Sequence, residues 1–159
     1  MVRVRVENGG MLSEYVPFYF GPRSPMLYVI HHNGVPTYQG GQDSIVHLVS
    51  NVDKVLQNKL EYAFTDGHPT KIFTEFYDNW THANKVDWSL MTSQYWHAAD
   101  WDRDRPRRRQ AEFLVRDFFP WELVTDIGVI DDGMAVKIGA LLKSIAHRPV
   151  VIIKRNWYY

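Results

Sequence analysis

Cysteine is absent from all 159 residues, which excludes disulfides, thiolate metal sites and a cysteine nucleophile. No apolar run approaches the roughly 18 residues of a membrane span. The start, Met1-Val2-Arg3-Val4-Arg5-Val6, lacks the apolar core of a signal peptide. A soluble, cytoplasmic protein with no membrane partner is expected. Net charge is lacking too, with eighteen basic against eighteen acidic side chains. That argues against a general polyanion binder but leaves room for a local basic patch. The patterns GxGxxG, GxxxxGK[ST] and GxSxG do not occur, so Rossmann, P-loop and serine-hydrolase readings lose their usual signals. His31 and His32 are adjacent and diverge, His47, His82, His97 and His147 are scattered, and HExxH is missing. No metal is expected.

What the chain does have is an ordinary globular balance, 45% hydrophobic and 23% charged, in a length that suits one domain over 1–159. Aromatics are plentiful at 14%, with six Trp and nine Tyr, and such rings build cores as readily as they stack on ligands. Residues 2–6 alternate Val and Arg, predicting a half-exposed strand before an Asn8-Gly9-Gly10 turn. Tyr15–Phe20 reads as extended, with Pro17 pointing to a sheet edge. Ser24-Pro25 opens a short helix through Ile30. Ser44–Ser50 suggests a buried strand, Val52–Leu60 a weak helix, and Tyr62–Thr65 a strand running into an Asp66-Gly67-His68-Pro69 turn.

The apolar spacing of Ile72, Phe73, Phe76, Tyr77 and Trp80 predicts an amphipathic helix over 70–80. A second helix is expected over 88–96 and a charged, Pro-interrupted loop over 98–109. Further on, 110–116 reads as extended, Pro120-Trp121 as a helical turn, 127–130 as a strand, 133–144 as a helix with apolar Met134, Ile138, Leu141 and Leu142, and 149–154 as a last strand. Strands and helices interleave without a regular βαβ period, which predicts a mixed α+β fold.

Two constellations carry chemistry. Arg103, Arg105, Arg107, Arg108 and Arg109 fall within seven residues, beside Asp100, Asp102 and Asp104. This is either a loop of internal ion pairs or a surface that grips phosphates, with Tyr95, Trp96 and Trp101 near enough in sequence to stack an unpaired base. Glu112 lies in the apolar stretch QAEFLV, where a strand puts it on one face with Leu114, opposite Ala111 and Phe113. A carboxylate there is either a paired structural group or a functional one that stabilises a cationic sugar. His68, on its tight turn, either satisfies backbone groups or contacts a nucleobase or phosphate.

YVPFYFGPRSPMLYVIHH (15–32), GGQDSIVHLVS (40–50), FTDGHP (64–69), RRRQAEFLV (107–115) and VIIKRNWYY (151–159) resemble, in order, the DarT family of bacterial DNA ADP-ribosyltransferases. The resemblance implies a mixed α/β, PARP-like ADP-ribosyltransferase fold. It also implies transfer of ADP-ribose from NAD to a thymine or guanine of single-stranded DNA, in the toxin half of a toxin–antitoxin pair whose partner is a macrodomain antitoxin. On it, Glu112 matches the catalytic glutamate. Tyr19 and Met26 match NAD-contacting positions, and Arg3 or Arg5 corresponds to the family's essential arginine, with Arg3 also toward NAD. His68, Arg105, Arg107, Arg108, Tyr95 and Trp96 fall to the DNA side. The family carries a further NAD-binding segment before this region, so an N-terminally truncated domain is expected. The alternatives are an inactive nucleic-acid-binding fragment and a metal-dependent nuclease using Asp100, Asp102, Asp104 and Glu112.

Overall fold

The computed structural model describes residues 2–7 and 9–159; Met1, and Asn8 of the predicted turn, lie outside the described residues. Contacts gather into two compact units, Met1–Pro25 with Lys59–Phe119, and Met26–Asn58 with Pro120–Tyr159.

The first unit is built on four antiparallel strands, β1 (Tyr15–Tyr19), β3 (Tyr62–Thr65), β4 (Phe76–Tyr77) and β5 (Glu112–Arg116), in the order β1-β5-β3-β4. β5 is interior, and its first four residues are buried. That is why EFLVR reads as an apolar run rather than an alternation. β1 is an edge strand, so Pro17 sits opposite Leu114 without breaking the sheet. One sheet face packs Ala63, Leu114 and Phe76 against Val4, with Val6, Leu12 and Tyr15 around them. The other is aromatic: Tyr62 stacks on Phe113 at 5.1 Å, and Trp80 meets Phe64 and Phe113 edge-on.

Residues 2–6 keep the expected alternation, valines inward and arginines outward, yet form no strand. The single bridge from Arg3 to Met11 is all the pairing they make. The predicted helix over 70–80 is likewise not formed. Here side chains outbid the helical ladder: the Asp66 carboxylate accepts from the Glu75 N–H at 2.9 Å, and the Thr74 hydroxyl donates to the His68 carbonyl at 2.7 Å. Phe76 and Tyr77 instead pair with β3, leaving Ile72 and Phe73 in solvent. Helix α3 (Trp88–Thr92), capped by Asp87 accepting from the Leu90 N–H at 3.1 Å, ends well short of the expected Trp96. The charged loop contains a helical turn, α4 (Arg105–Arg108), with Pro106 in its first turn, where a missing N–H costs nothing.

The second unit holds a three-stranded sheet, β2 (His47–Val49), β6 (Asp126–Val129) and β7 (Val150–Ile153), in the order β2-β6-β7. β6 and β7 run parallel, joined through helix α5 (Asp132–Leu142), whose N-cap Asp131 accepts from the Met134 N–H at 2.8 Å. The helices α1 (Pro25–His31), which belongs to this unit from Met26 on, and α2 (Val52–Gln57), capped by Asn51, complete it. β2 is shorter than predicted and half-exposed, with Leu48 facing solvent, because it is an edge strand. Leu141 is also exposed, leaving Leu142 to face the core with Ile127 and Val129. Tyr158 is buried with Leu27 and Ile130, its hydroxyl donating to the Ile45 carbonyl at 2.8 Å.

Gly128 on β6 leaves the space that Trp157 fills; a Cβ there would stand 2.4 Å from the indole. Gly128→Ala is therefore expected to destabilise the protein by about 1–3 kcal/mol through overpacking, read as a lowered midpoint in urea unfolding.

Candidate active site

At the head of β5, Glu112 is 8% exposed and pairs in register with Tyr19, the last residue of β1. On its other side lies Thr65, fully buried at the end of β3. The Thr65 hydroxyl accepts from the Glu112 N–H at 2.9 Å and lies 3.4 Å from its carbonyl. That clamp fixes the backbone, while the carboxylate itself has no hydrogen bond or ion pair among the described residues. Burial alone pushes its pKa from 4.5 up to about 7. Burial, and then the charge of Glu112, push the Tyr19 hydroxyl up to about 12. The pair presents a neutral phenol beside a carboxylate that changes charge near neutrality.

By strand alternation Glu112 shares its sheet face with Leu114, on which Val4 packs. Arg3 and Arg5 flank Val4, but neither pairs with Glu112. The Arg5 guanidinium donates to the Thr74 carbonyl and lies 5.2 Å from the Phe76 ring centroid. Both line an open cleft of about 810 Å³ with Val4, Val6, Gly9, Gly10 and Arg116. The expected catalytic grouping of Arg3 and Arg5 with Glu112 is thus not made as a contact. Met26 lies half-exposed on α1.

The arginine cluster divides by burial. Arg107 is held by Asp104 at 2.8 Å and Asp66 at 3.0 Å, and its guanidinium also donates to Thr74 at 3.2 Å. Gly67 makes room for it, since a Cβ there would stand 2.3 Å from Nη1. Arg108 is held by Asp102 at 2.5 Å and by Asp87 at 3.3 Å. These two, expected on the DNA side, are paired with carboxylates that brace the turn, and the Asp104 carboxyl is held below its usual range by its bond from Arg107. Asp102 and Asp104, two of the carboxylates of the nuclease alternative, face arginines rather than Glu112. Arg105 reaches back to the Tyr95 carbonyl, and Tyr95 itself stands in solvent. Trp96, by contrast, is buried and stacks on His97 at 4.3 Å, so it is not an open platform for a base. His68 donates its N–H to the Arg107 carbonyl at 2.9 Å, joining its turn to α4. Burial, then Lys71, hold its imidazole below the usual range.

Sequence reasoning missed two residues. Arg109, counted with the exposed cluster, is 1% exposed, and its Nη2 donates to the Arg23 carbonyl at 2.8 Å. It nests against Gly21, where a Cβ would meet Nη1 at 2.7 Å. Thr65 carried no signal beyond its place in an apolar strand. The nearest clue to Arg109 is that it directly precedes QAEFLV, where the chain turns inward.

A model of the family described as ssDNA thymidine ADP-ribosyltransferase, DarT, matches residues 2–159. A DNA ADP-ribosyl transferase of Thermus aquaticus is 42% identical over an alignment of 160 positions that covers 99% of this chain and 69% of that protein. One of Mycobacterium tuberculosis is 34% identical over 94% of this chain and 65% of its own length. The structure of Thermus sp. 2.9 DarT in complex with NAD+ superposes with a TM-score of 0.93 at 38% identity, covering 99% of this chain and 78% of that one. The same protein in complex with ADP-ribosylated ssDNA gives a TM-score of 0.94 at 38% identity, over 99% and 75%.

Because the folded protein favours protonated Glu112, this residue's contribution to stability is complete below pH 4.5 and is lost as the pH rises through about 7. Glu112→Gln, which keeps the shape without the charge, is expected to flatten that stretch of the stability–pH curve. It should also stabilise the protein at about pH 8 by on the order of 2 kcal/mol. Thermal midpoints of both proteins across this range check it; parallel curves would contradict the burial of an unpaired carboxylate.

Proposed function

Because the chain belongs to the DarT family of ssDNA thymidine ADP-ribosyltransferases, we propose that it transfers ADP-ribose from NAD to a thymine of single-stranded DNA, with Glu112 at the reacting sugar. The observation that carries this reading is the buried, unpaired carboxylate of Glu112 beside Tyr19. In the transfer the bond between ribose C1′ and nicotinamide breaks, nicotinamide leaves neutral, and a ring nitrogen of the base bonds to C1′ and gives up its proton. Ionised Glu112 stabilises the cationic sugar that forms between these events, and it does so strongly because little water screens it. With a midpoint of about 7, the same carboxylate is suited to accept the proton the base releases.

Tyr19 keeps its proton at every working pH and offers a hydrogen bond toward the NAD ribose. Arg3 and Arg5, which flank the Val4 that packs on the Glu112 face, supply positive charge for the NAD pyrophosphate. His68, Arg105 and Tyr95 form the DNA side, where a single strand offers unstacked bases at little cost. Arg107 and Arg108 act indirectly, by holding that surface in place. The proposed setting is the cytoplasm, as the toxin half of a toxin–antitoxin pair whose macrodomain partner reverses the modification. No helix among the described residues is long and apolar enough to cross a membrane.

The test is mass spectrometry of short single-stranded oligonucleotides incubated with the protein and NAD. A mass gain of one ADP-ribose on thymine-containing strands, absent from guanine-only strands and lost in Glu112→Ala, is expected. No gain, while the same strands still bind, would overturn the transfer reading.

A further inference from the structure

Between His68 and Thr74 the first unit holds two apolar side chains out in water: Ile72 is 78% exposed and Phe73 is 81% exposed. The segment that carries them is braced. The Lys71 N–H donates to the His68 carbonyl at 3.0 Å, and the Thr74 N–H to the Lys71 carbonyl at 3.1 Å. Thr74 is fully buried, and both its ends are occupied. Its hydroxyl donates to the His68 carbonyl at 2.7 Å and accepts from Arg107 at 3.2 Å, while its carbonyl accepts from Arg5. The tip therefore cannot fold its apolar side chains inward without breaking this lattice, and water is a poor solvent for them. A preformed, exposed aromatic of this kind is arranged to meet a partner.

Resting on the transfer reading above, we infer that the Lys71-Ile72-Phe73 tip is a second contact for the DNA strand. Phe73 stacks on an unpaired base away from the modified one, Ile72 covers its edge, and the Lys71 ammonium meets a phosphate. The chemistry on the page favours a single strand over other partners. A cation next to an exposed ring suits a base with its phosphate, whatever the sequence, because every base has a π-face. The tip is continuous with the proposed DNA side, since the His68 N–H bonds the Arg107 carbonyl at 2.9 Å. Lys71 lies close enough to His68 to oppose its protonation, which places positive charge at that junction. Two side chains are far less than the roughly 800 Å² a stable protein interface covers on each partner.

The test is fluorescence anisotropy of labelled thymidine oligonucleotides about 5 and about 15 nucleotides long, with adduct mass measured in parallel. The wild type is expected to bind the longer strand more tightly. Phe73→Ala should weaken that strand about tenfold and leave the short one unchanged, and Phe73→Trp should restore the difference. Because Phe73 is exposed, folding is not at stake in either variant. Wild-type affinity of Phe73→Ala for both lengths would overturn the second contact. Anisotropy decides the contact and adduct mass decides the transfer, so failure of one is told apart from failure of the other.

Discussion

Burying a carboxylate that no cation among the described residues pairs opposes folding, and the first unit keeps Glu112 in that position by tying down the backbone that carries it. Its backbone is clamped by the Thr65 hydroxyl, its strand is interior, and Tyr19 on the edge strand closes one flank. The consequence is a group that ionises near neutral pH instead of near pH 4.5. A salt bridge at this place would have stabilised the fold and fixed the charge. Its absence leaves the negative charge to be matched by whatever cation the reaction creates, which is the condition for stabilising a sugar cation.

The arginines just before Glu112 show how one run of like residues is divided among tasks by geometry. Arg107 and Arg108 neutralise Asp66, Asp87, Asp102 and Asp104 and make the turn at α4 rigid. Arg109 is drawn into the interior against Gly21. Arg105 reaches back to the backbone at Tyr95, and Arg103 stands exposed. The same acidic partners make the turn rigid enough to carry His68, through the bond to the Arg107 carbonyl. On the proposed reading, rigidity there matters more than charge count, because a strand must be placed within bonding distance of a sugar held elsewhere on the sheet face.

Much of this was legible in the residues. Pro17 announced an edge strand, QAEFLV announced a buried strand with one misplaced charge, and Tyr62–Thr65 ran into its turn as expected. Mixed α+β architecture followed from interleaved patterns. The failed helix over 70–80 has a definite cause: bonds from outside the segment replaced the local ladder. Ile72, Phe73, Phe76, Tyr77 and Trp80 have helical spacing, yet Asp66 and Thr74 capture the backbone from across the turn, and β3 captures Phe76 and Tyr77. Spacing cannot reveal partners that lie on other elements. Neither could it tell that Arg109 and Trp96 are buried while Tyr95 is not, since adjacent positions in an irregular loop have no period to read. The DarT likeness named Glu112, but that no cation among the described residues pairs with it is visible only in three dimensions.

That isolation is also the most direct point of attack on the account. Carbon-13 NMR of glutamate carboxyl groups, with Glu112 assigned by the resonance missing in Glu112→Gln, gives its titration in the folded protein. A midpoint of about 7 is predicted. A midpoint in the ordinary range near 4.5 would mean that the carboxylate is solvated or paired, and would contradict its role as the buried charge at the reacting sugar.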